Sequence, residues 1–455
     1  YWVGSAGGST NSAANWSTAA NACGVSGGAS VPGTSDVARF TSSCTNNATV
    51  DAAFSVLGVD MQSGYTGTVT QSGSTITVGT SDWIQADGTF TGGTNTIDIN
   101  DAFTFSGGTF TSTSGALFVA NAFTISGSAN FNPSTGTVRF EGASSYTLTT
   151  NNATFNDVEF FHPSGGSATI TLADNFTVSG TMSIDQTTSS PSNFIISPSG
   201  TRSITLLGNL IIRNTKAANY VAFGSTSLTI NMTGAGDQSL TQGSSGDNRM
   251  QAAISIDKSG GVAKLNSNFA FRGPLTITAG DTLDVSPDGG STVYKPTFAH
   301  NFTNAGTFTI RTAVPRIDCY QNSTVSTGGM TFSDLEFIQS AGYSSCTKTL
   351  ADDFTINGTL SIDMNASSSN YTVTPSGTRT VNVGGDITIN NSAAVNNVYF
   401  GTSGLTLNMN GASDQIVTQG ISGNNFLRAG IAIDKSGGVA KLGSNVSFNG
   451  PLIIT

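Results

Sequence analysis

Three consecutive segments decide the fold: GTVTQSGSTITV from Gly67, GTFTGGTNTIDI from Gly88 and GTFTSTSGALFV from Gly108. Their starts are almost evenly spaced, and each segment contains two short strands in which apolar and polar residues alternate. A third alternating strand follows in the last two units, DAFTFSG from Asp101 and NAFTISG from Asn121. Three such strands in about 20 residues, separated by Gly, Ser or Asn, are typical of one coil of a β-solenoid.

The alternation predicts which side chains fill the coil. Phe90 and Ile97 are expected to point inwards, while Thr89 and Asp98 face outwards. Stacking the coils about 4.8 Å apart pairs their backbone groups and covers their apolar edges. Thr and Asn stack on themselves without the repulsion of charged ladders, which fits a charged fraction of only 10%. The predicted fold class is therefore all-β, a parallel β-solenoid (β-helix) with coils of about 20 residues.

A longer repeat of about 177 residues covers most of the remaining chain. Matching segments recur at a nearly constant offset: TFNDVEF at Thr154 and TFSDLEF at Thr331, LADNFTVSGTMSID at Leu172 and LADDFTINGTLSID at Leu350, and IDKSGGVAKL at Ile256 and Ile433. The constant offset indicates that a whole block was duplicated. The alternative, several β-sandwich domains of roughly 90 residues, fits less well because the tandem units are too short and no linker divides the blocks.

The repeats predict four regions along the chain. They are an N-terminal cap region with a disulfide (1–60), a tandem short-coil solenoid (61–120), solenoid block copy one (121–297) and solenoid block copy two (298–455). The first region does not match the repeat, and we expect its Trp2 and Trp16 to cap the first coil. Copy two stops at Thr455 in GPLIIT, in mid-block, where no cap is visible.

The chain has four cysteines, Cys23, Cys44, Cys319 and Cys346. Two local pairs, Cys23–Cys44 and Cys319–Cys346, are the simplest of three connectivities, and free buried cysteines are the alternative. Through the offset of the long repeat, the second pair corresponds to Gly142 and Thr169 in copy one. Two cysteines that differ together between the copies are expected to bond to each other and to bridge neighbouring coils.

Two D-x-E pairs are the strongest candidates for acid–base chemistry, Asp157 with Glu159 and Asp334 with Glu336. On a strand, carboxylates two residues apart share a face roughly 6.5–7 Å apart, at the lower edge of the range for inverting glycosidases. The favoured alternative is an outward acidic surface, because the pair recurs in both copies and no Lys or Arg group accompanies it in sequence. We therefore predict no catalytic residues.

The remaining motifs do not indicate a cofactor. His162 and His300 stand alone, without metal-ligand spacing, and nucleotide-binding or hydrolase motifs are missing. Loop aspartates leave isolated calcium ions open as an alternative, whereas Asp257 and Asp434 in D-K-S-G-G are most simply turns. The T-x-T ladders also suggest ice binding as a hypothesis. Ice binding would require a long, flat and uninterrupted threonine array, whereas the tandem units cover only about three coils.

Charge and composition limit the partners. The net charge is −10 and basic clusters are missing, which argues against nucleic acid and anionic membranes. Membrane insertion is not expected, because no apolar run approaches the ~20 residues that a spanning helix needs. The chain begins at Tyr1 without a leader, so we expect that an export signal has been removed and that the protein is extracellular or on the cell surface.

The opening YWVGSAGGSTNSAANWS, VPGTSDVARF from Val31, TFNDVEF from Thr154 and TLADNFTVSGTMSI from Thr171 resemble the secreted bacterial beta-strand-repeat surface proteins. The resemblance implies adhesin-like or filament-forming β-solenoids, export and no catalysis, and it transfers no site residues. We accordingly expect a structural subunit of an extracellular fibre that self-associates head to tail through solenoid or strand edges. The alternatives are an adhesin stalk, a module that binds surface glycans or other cells, and a polysaccharide-active β-helix enzyme.

Overall fold

The computed structural model describes residues 1–163, 166–186, 192–214, 220–339, 345–364, 370–391, 397–420 and 424–455. Parallel strands stack into an all-β solenoid of about 15 turns, which confirms the predicted fold class. The spacing between turns is about 25 residues, somewhat longer than the 20 predicted. The chain divides into two compact units, Tyr1–Ile230 with Ser245–Asn248, and Asn231–Ser244 with Arg249–Thr455.

The first unit consists of short strands joined by Gly- and Ser-rich corners, with one 3-10 turn at Ala13–Asn15. Its strands are β1 Gly8–Ser9, β2 Val37–Phe40, β3 Ala48–Val50, β4 Phe54–Val56, β5 Gly58–Met61, β6 Thr68–Gln71, β7 Ile76–Val78, β8 Trp83–Gln85, β9 Thr89–Thr91, β10 Ile97–Ile99, β11 Phe103–Phe105, β12 Thr109–Thr111, β13 Ala116–Val119, β14 Phe123–Ile125, β15 Asn130–Asn132, β16 Thr137–Glu141, β17 Tyr146–Thr149, β18 Thr154–Phe155, β19 Asp157–His162, β20 Ala168–Leu172, β21 Phe176–Val178, β22 Met182–Gln186, β23 Phe194–Pro198, β24 Arg202–Leu206, β25 Leu210–Asn214 and β26 Tyr220–Phe223. From β3 onwards, strands pair in parallel with the third strand along the chain, with a break between β15 and β18, so that each turn contributes one strand to each of three faces.

Side chains in this unit alternate between interior and surface as predicted. Phe90 in β9 and Phe110 in β12 are fully buried, while the threonines on either side are partly exposed. The two phenylalanines are partners in the parallel register, and their ring centroids lie 4.8 Å apart. Phe103 and Phe123 stack in the same way at 4.9 Å. Like residues thus form internal ladders that bury apolar surface and leave threonine outside.

The N-terminal segment covers the first coil with aromatic side chains. Trp2 and Trp16 are buried, and their rings meet edge to face with centroids 5.4 Å apart. Trp16 also contacts Phe40 and Phe54, at 5.9 and 6.3 Å between ring centroids. The indole nitrogen of Trp2 donates a hydrogen bond to the carbonyl oxygen of Asn46 at 3.0 Å. These rings therefore shield the apolar residues of β2 and β4 from solvent.

The second unit follows the same plan. Two strands contain residues of both units, β27 Leu228–Met232 and β29 Asp247–Met250. The others are β28 Gln238–Gln242, β30 Ala253–Ile256, β31 Ala263–Leu265, β32 Phe269–Phe271, β33 Leu275–Ile277, β34 Thr282–Asp284, β35 Pro296–Phe298, β36 Phe302–Asn304, β37 Thr307–Thr309, β38 Arg316–Asp318, β39 Ser323–Ser326, β40 Thr331–Phe332, β41 Leu335–Gln339, β42 Cys346–Leu350, β43 Phe354–Ile356, β44 Leu360–Met364, β45 Tyr371–Pro375, β46 Arg379–Val383, β47 Ile387–Asn391, β48 Asn397–Phe400, β49 Leu405–Met409, β50 Gln415–Gln419, β51 Asn424–Leu427, β52 Gly430–Ile433, β53 Ala440–Leu442 and β54 Leu452–Ile454.

The length of the long repeat is not a whole number of solenoid turns. Within the second unit, β28 belongs to copy one, and its equivalent in copy two is β50, with first residues Gln238 and Gln415. β28 pairs with β31, whereas β50 pairs with β47 and with β53, the equivalent of β31, in a different sheet. β30 and its equivalent β52 also lie in different sheets. Since β50 is 22 strands after β28 and a turn uses three, one block spans seven turns and one further strand.

Candidate functional site

Both predicted disulfides are formed, Cys23–Cys44 and Cys319–Cys346. Cys319 follows β38, and Cys346 begins β42 after a separation of 27 residues, so the bond joins neighbouring turns of the second unit. When β20 of copy one is aligned with β42 of copy two, Cys346 is equivalent to Ala168, because these residues begin the two strands. The equivalence with Thr169 predicted from the sequence is therefore wrong by one position.

Lys348 is a buried lysine on the inward side of β42. Its Nζ donates three hydrogen bonds, to Ala299 O at 3.0 Å, to Gln321 O at 3.0 Å and to Ser323 Oγ at 2.7 Å. The acceptors lie on the two preceding turns, so one ammonium group ties three turns together. Burial lowers the pKa of Lys348 to about 7, and the carboxylate of Asp318 opposes that shift.

Tyr371 adds a second buried polar group in the same region. It pairs with Cys346 between β42 and β45, and its hydroxyl donates a hydrogen bond to Ile317 O at 3.0 Å. Burial raises the pKa of Tyr371 well above 10. Lys348 and Tyr371 replace two buried apolar residues of copy one, Ile170 and Phe194. Lys348 and Tyr371 were not predicted from the sequence, although they differ from copy one within a few residues of the cysteines.

The first D-x-E pair lies on the outer surface of β19. Asp157 Oδ1 accepts a hydrogen bond from Thr181 N on the next turn at 2.6 Å. Glu159 forms an ion pair with Arg139 on the preceding turn, 2.7 Å from Nε to Oε2. The guanidinium of Arg139 also lies over the rings of Phe118 and Phe161, at 4.4 and 4.6 Å from their centroids. Both carboxylates are thus used for contacts between turns.

The second D-x-E pair repeats this arrangement. Asp334 Oδ1 accepts from Thr359 N at 2.5 Å, and Glu336 forms an ion pair with Arg316 at 2.6 Å. A cleft of about 240 Å³ lies beside the pair, lined by Val314, Asp334, Leu335, Glu336, Thr359 and Ser361. The arginine partners were missed in the sequence because each lies one turn of the solenoid earlier and is therefore distant along the chain.

A second repeated carboxylate belongs to the segment L-A-D. Asp174 accepts hydrogen bonds from Thr150 N at 2.9 Å and from Thr150 Oγ1 at 2.6 Å, one turn earlier. Its equivalent, Asp352, accepts from Thr327 N at 2.9 Å and from Thr327 Oγ1 at 2.8 Å. These two aspartates therefore hold the main chain of the preceding turn in both copies.

The D-K-S-G-G segment, interpreted from the sequence as a turn, places its lysine against the preceding turn. Lys258 Nζ donates to Gly234 O at 3.0 Å, to Gly236 O at 2.9 Å and to Gln238 Oε1 at 2.6 Å. In copy two Lys435 Nζ makes the same bonds, to Gly411 O at 2.8 Å, to Ser413 O at 2.8 Å and to Gln415 Oε1 at 2.7 Å. The contact is an inter-turn clamp that sequence reasoning missed.

The two histidines lie on different turns, and His300 follows Ala299, an acceptor of Lys348. His162 is fully buried, with its ring centroid 5.2 Å from that of Phe194, and burial lowers its pKa. His300 Nδ1 accepts a hydrogen bond from Asn301 N at 2.6 Å, and burial, followed by the charge of Lys348, lowers its pKa. In the described ranges, no group of three or more His, Cys, Asp or Glu side chains could hold a metal ion. Calcium binding stays a hypothesis.

The last strands expose residues that are buried in copy one. Leu442, Leu452 and Ile454 are 60%, 50% and 72% exposed. Their copy-one equivalents, Leu265, Leu275 and Ile277, are at most 1% exposed. The difference arises because β34 and β36 pair with β31 and β33 in copy one. In the described chain, no strand pairs with the corresponding edges of β53 and β54.

Comparison with known proteins adds no relative. No protein-family model, no curated protein and no solved structure matches the chain. None of the described residues forms a helix with the length and apolar character that crossing a bilayer requires.

Proposed function

We propose that this chain is a structural module of an extracellular or cell-surface fibre or stalk. The observation that carries the proposal is that the charged side chains of the D-x-E and D-K-S-G-G segments form hydrogen bonds between successive turns. They do so in both copies. Asp157 and Asp334 bind the next turn, and Lys258 and Lys435 clamp the preceding one. Such ties oppose the separation of turns, which is what a shaft under tension requires. Two disulfides are compatible with residence outside the cell.

We propose further that modules of this kind self-associate through strand edges of the solenoid. A strand edge with exposed apolar side chains favours addition of another strand. The occupant proposed here is a second copy of the chain, bound head to tail, since a heterologous contact that does not close yields a filament.

Sedimentation velocity over a range of concentrations, followed by negative-stain electron microscopy, tests the proposal. The unmodified chain should form a ladder of oligomers that grows with concentration. A chain that is monomeric at every concentration, or that stops at a closed dimer, would contradict the fibre.

A further inference from the structure

One face of the first unit carries two straight rows of small polar side chains. It is formed by β3, β6, β9, β12 and β15, which pair in parallel and in register. The first row contains Thr68, Thr89, Thr109 and Asn130, and the second row contains Thr49, Thr70, Thr91, Thr111 and Asn132. We call these nine residues the threonine face. Complete Thr-x-Thr pairs occupy β6, β9 and β12, and the register continues the rows with Thr49 on one side and with Asn130 and Asn132 on the other.

The threonine face is a regular grid. Neighbouring residues of a row are separated by the strand spacing of about 4.8 Å, and the two rows by two strand residues, about 6.6 Å. Threonine is branched at Cβ, so its χ1 angle is restricted and each hydroxyl and methyl group has a defined position. Beneath the grid, Phe90, Phe110 and Phe131 form a packed internal ladder that supports it. The face is therefore rigid before any ligand binds.

Five of the seven threonine hydroxyl groups of this face are available to a ligand, whereas Thr49 Oγ1 donates to Gly7 O at 3.2 Å and Thr111 Oγ1 accepts from Asn132 Nδ2 at 3.3 Å. In the described chain, Thr68, Thr70, Thr89, Thr91 and Thr109 make no side-chain hydrogen bond to the protein, and all are partly exposed. The second unit has a row of asparagines, Asn370, Asn397 and Asn424, whose side chains bond to one another. Asn397 donates to Asn370 Oδ1 and Asn424 donates to Asn397 Oδ1, each at 2.9 Å. A hydroxyl both donates and accepts, so the threonine rows offer repeated bonding sites in both senses.

Glycines border the threonine face on both sides. Gly88 and Gly108 precede the threonines of β9 and β12 and adopt φ of 75° and 78°, which favours glycine. On the other border, a Cβ at Gly92 would lie 2.5 Å from Thr113 N, so the stacking itself requires glycine there. The strands β6, β9 and β12 carry no charged residue. Neither bulky corner residues nor charges on these strands therefore keep an extended partner from both rows.

We propose that the threonine face binds ice. An ice surface is flat, rigid and uncharged, and its water molecules donate and accept hydrogen bonds at a repeating distance close to the strand spacing. A pre-ordered grid of hydroxyls meets such a lattice with little loss of side-chain entropy. Methyl groups between the hydroxyls exclude disordered water from the contact. A small flexible ligand favours a concave pocket, and a protein partner favours aromatic or arginine anchors, which the threonine face lacks.

Thermal hysteresis and inhibition of ice recrystallisation, measured on the full chain, test the proposal. The unmodified chain should show both activities. T89Y/T91Y places bulky rings in the middle of the grid and should abolish them, and T89K/T91K should do the same if the tyrosine variant does not fold. T372Y is the matched control, because Thr372 lies on a second T-x-T strand, β45, whose row is interrupted by Tyr399, and it should leave activity unchanged. Thermal unfolding of each variant confirms that the fold is retained.

Two results would contradict ice as the ligand, and a third would contradict the threonine face as the binding site. An unmodified chain without thermal hysteresis at millimolar concentration would exclude ice as the ligand. Adsorption to microcrystalline cellulose in the absence of ice activity would do the same and would assign the threonine face to a crystalline polysaccharide. Equal loss of activity in T372Y and T89Y/T91Y would place ice binding outside this face.

Discussion

Copy one and copy two of the long repeat form equivalent strands, but at one place their interior side chains differ. Copy one has Gly142, Ala168, Ile170 and Phe194, where copy two has Cys319, Cys346, Lys348 and Tyr371. The Phe194 ring fills the space beside Gly142, since a Cβ added there would lie 2.3 Å from that ring. In copy two a disulfide, a lysine with three acceptors and a bonded tyrosine hydroxyl occupy the corresponding interior.

The difference teaches that the backbone ladder, and not one kind of core, defines the turn. The inter-strand pairing of β20 with β23 and of β42 with β45 is the same in register and length. Apolar packing suits copy one, whereas copy two accepts buried polar groups because each is bonded. Replacing one kind of interior by the other tests how far this tolerance extends.

The largest effect is expected from removing the copy-two disulfide. C319A/C346A should lower the free energy of unfolding by about 3 kcal/mol, because the bond closes a 27-residue loop in the unfolded chain. Denaturant unfolding and hydrogen exchange of β38 to β42 measure the loss. C23A/C44A is the control, since its bond lies in the other unit and should leave exchange in β38 to β42 unchanged. Unaltered exchange in C319A/C346A would show that the hydrogen bonds alone hold these turns.

The next effect is a pH dependence that copy one lacks at this position. The pKa of Lys348 is lowered to about 7 in the folded chain, so the unfolded chain binds more protons between about pH 7 and 10.5, and stability rises with pH in that window. This lysine should contribute an increase of about 2 kcal/mol between pH 7 and 9.

The variant K348M should remove that rise, because methionine does not titrate. The exposed Lys441 supplies the control, and K441M should keep the full pH dependence. Urea unfolding at a series of pH values measures the slopes. Equal slopes in K348M and the unmodified chain would assign the pH dependence to another group.

The smallest effect is expected from removing either of the two lysine clamps, Lys258 or Lys435. K258M should lower the free energy of unfolding by about 1–2 kcal/mol, since it removes charge-assisted hydrogen bonds in the stacked part of the second unit. K435M removes the same bonds beside β53 and β54, whose side chains are more exposed than those of β31 and β33, so we expect a smaller loss of global stability than in K258M. Equal losses of global stability would show that the last turns unfold together with the rest.

The sequence predicts those features that depend on local alternation or on comparison between copies. The burial of Phe90 follows from period-two alternation, and the bond between Cys319 and Cys346 follows from their joint appearance in copy two. The pair of Glu159 with Arg139 was not predicted because it depends on the register between turns. The contacts by which Lys348 ties three turns were not predicted either, because only stacking creates them.

The strand count of the long repeat has a consequence for how such a chain grows. A block of 22 strands is not a whole number of turns, yet both copies fold. Each strand must therefore be suited to any of the three sides, so a duplication needs only to preserve complete strands. Within the second unit, the repeated sequence of β28 and β50 thus serves on two different sides of a turn.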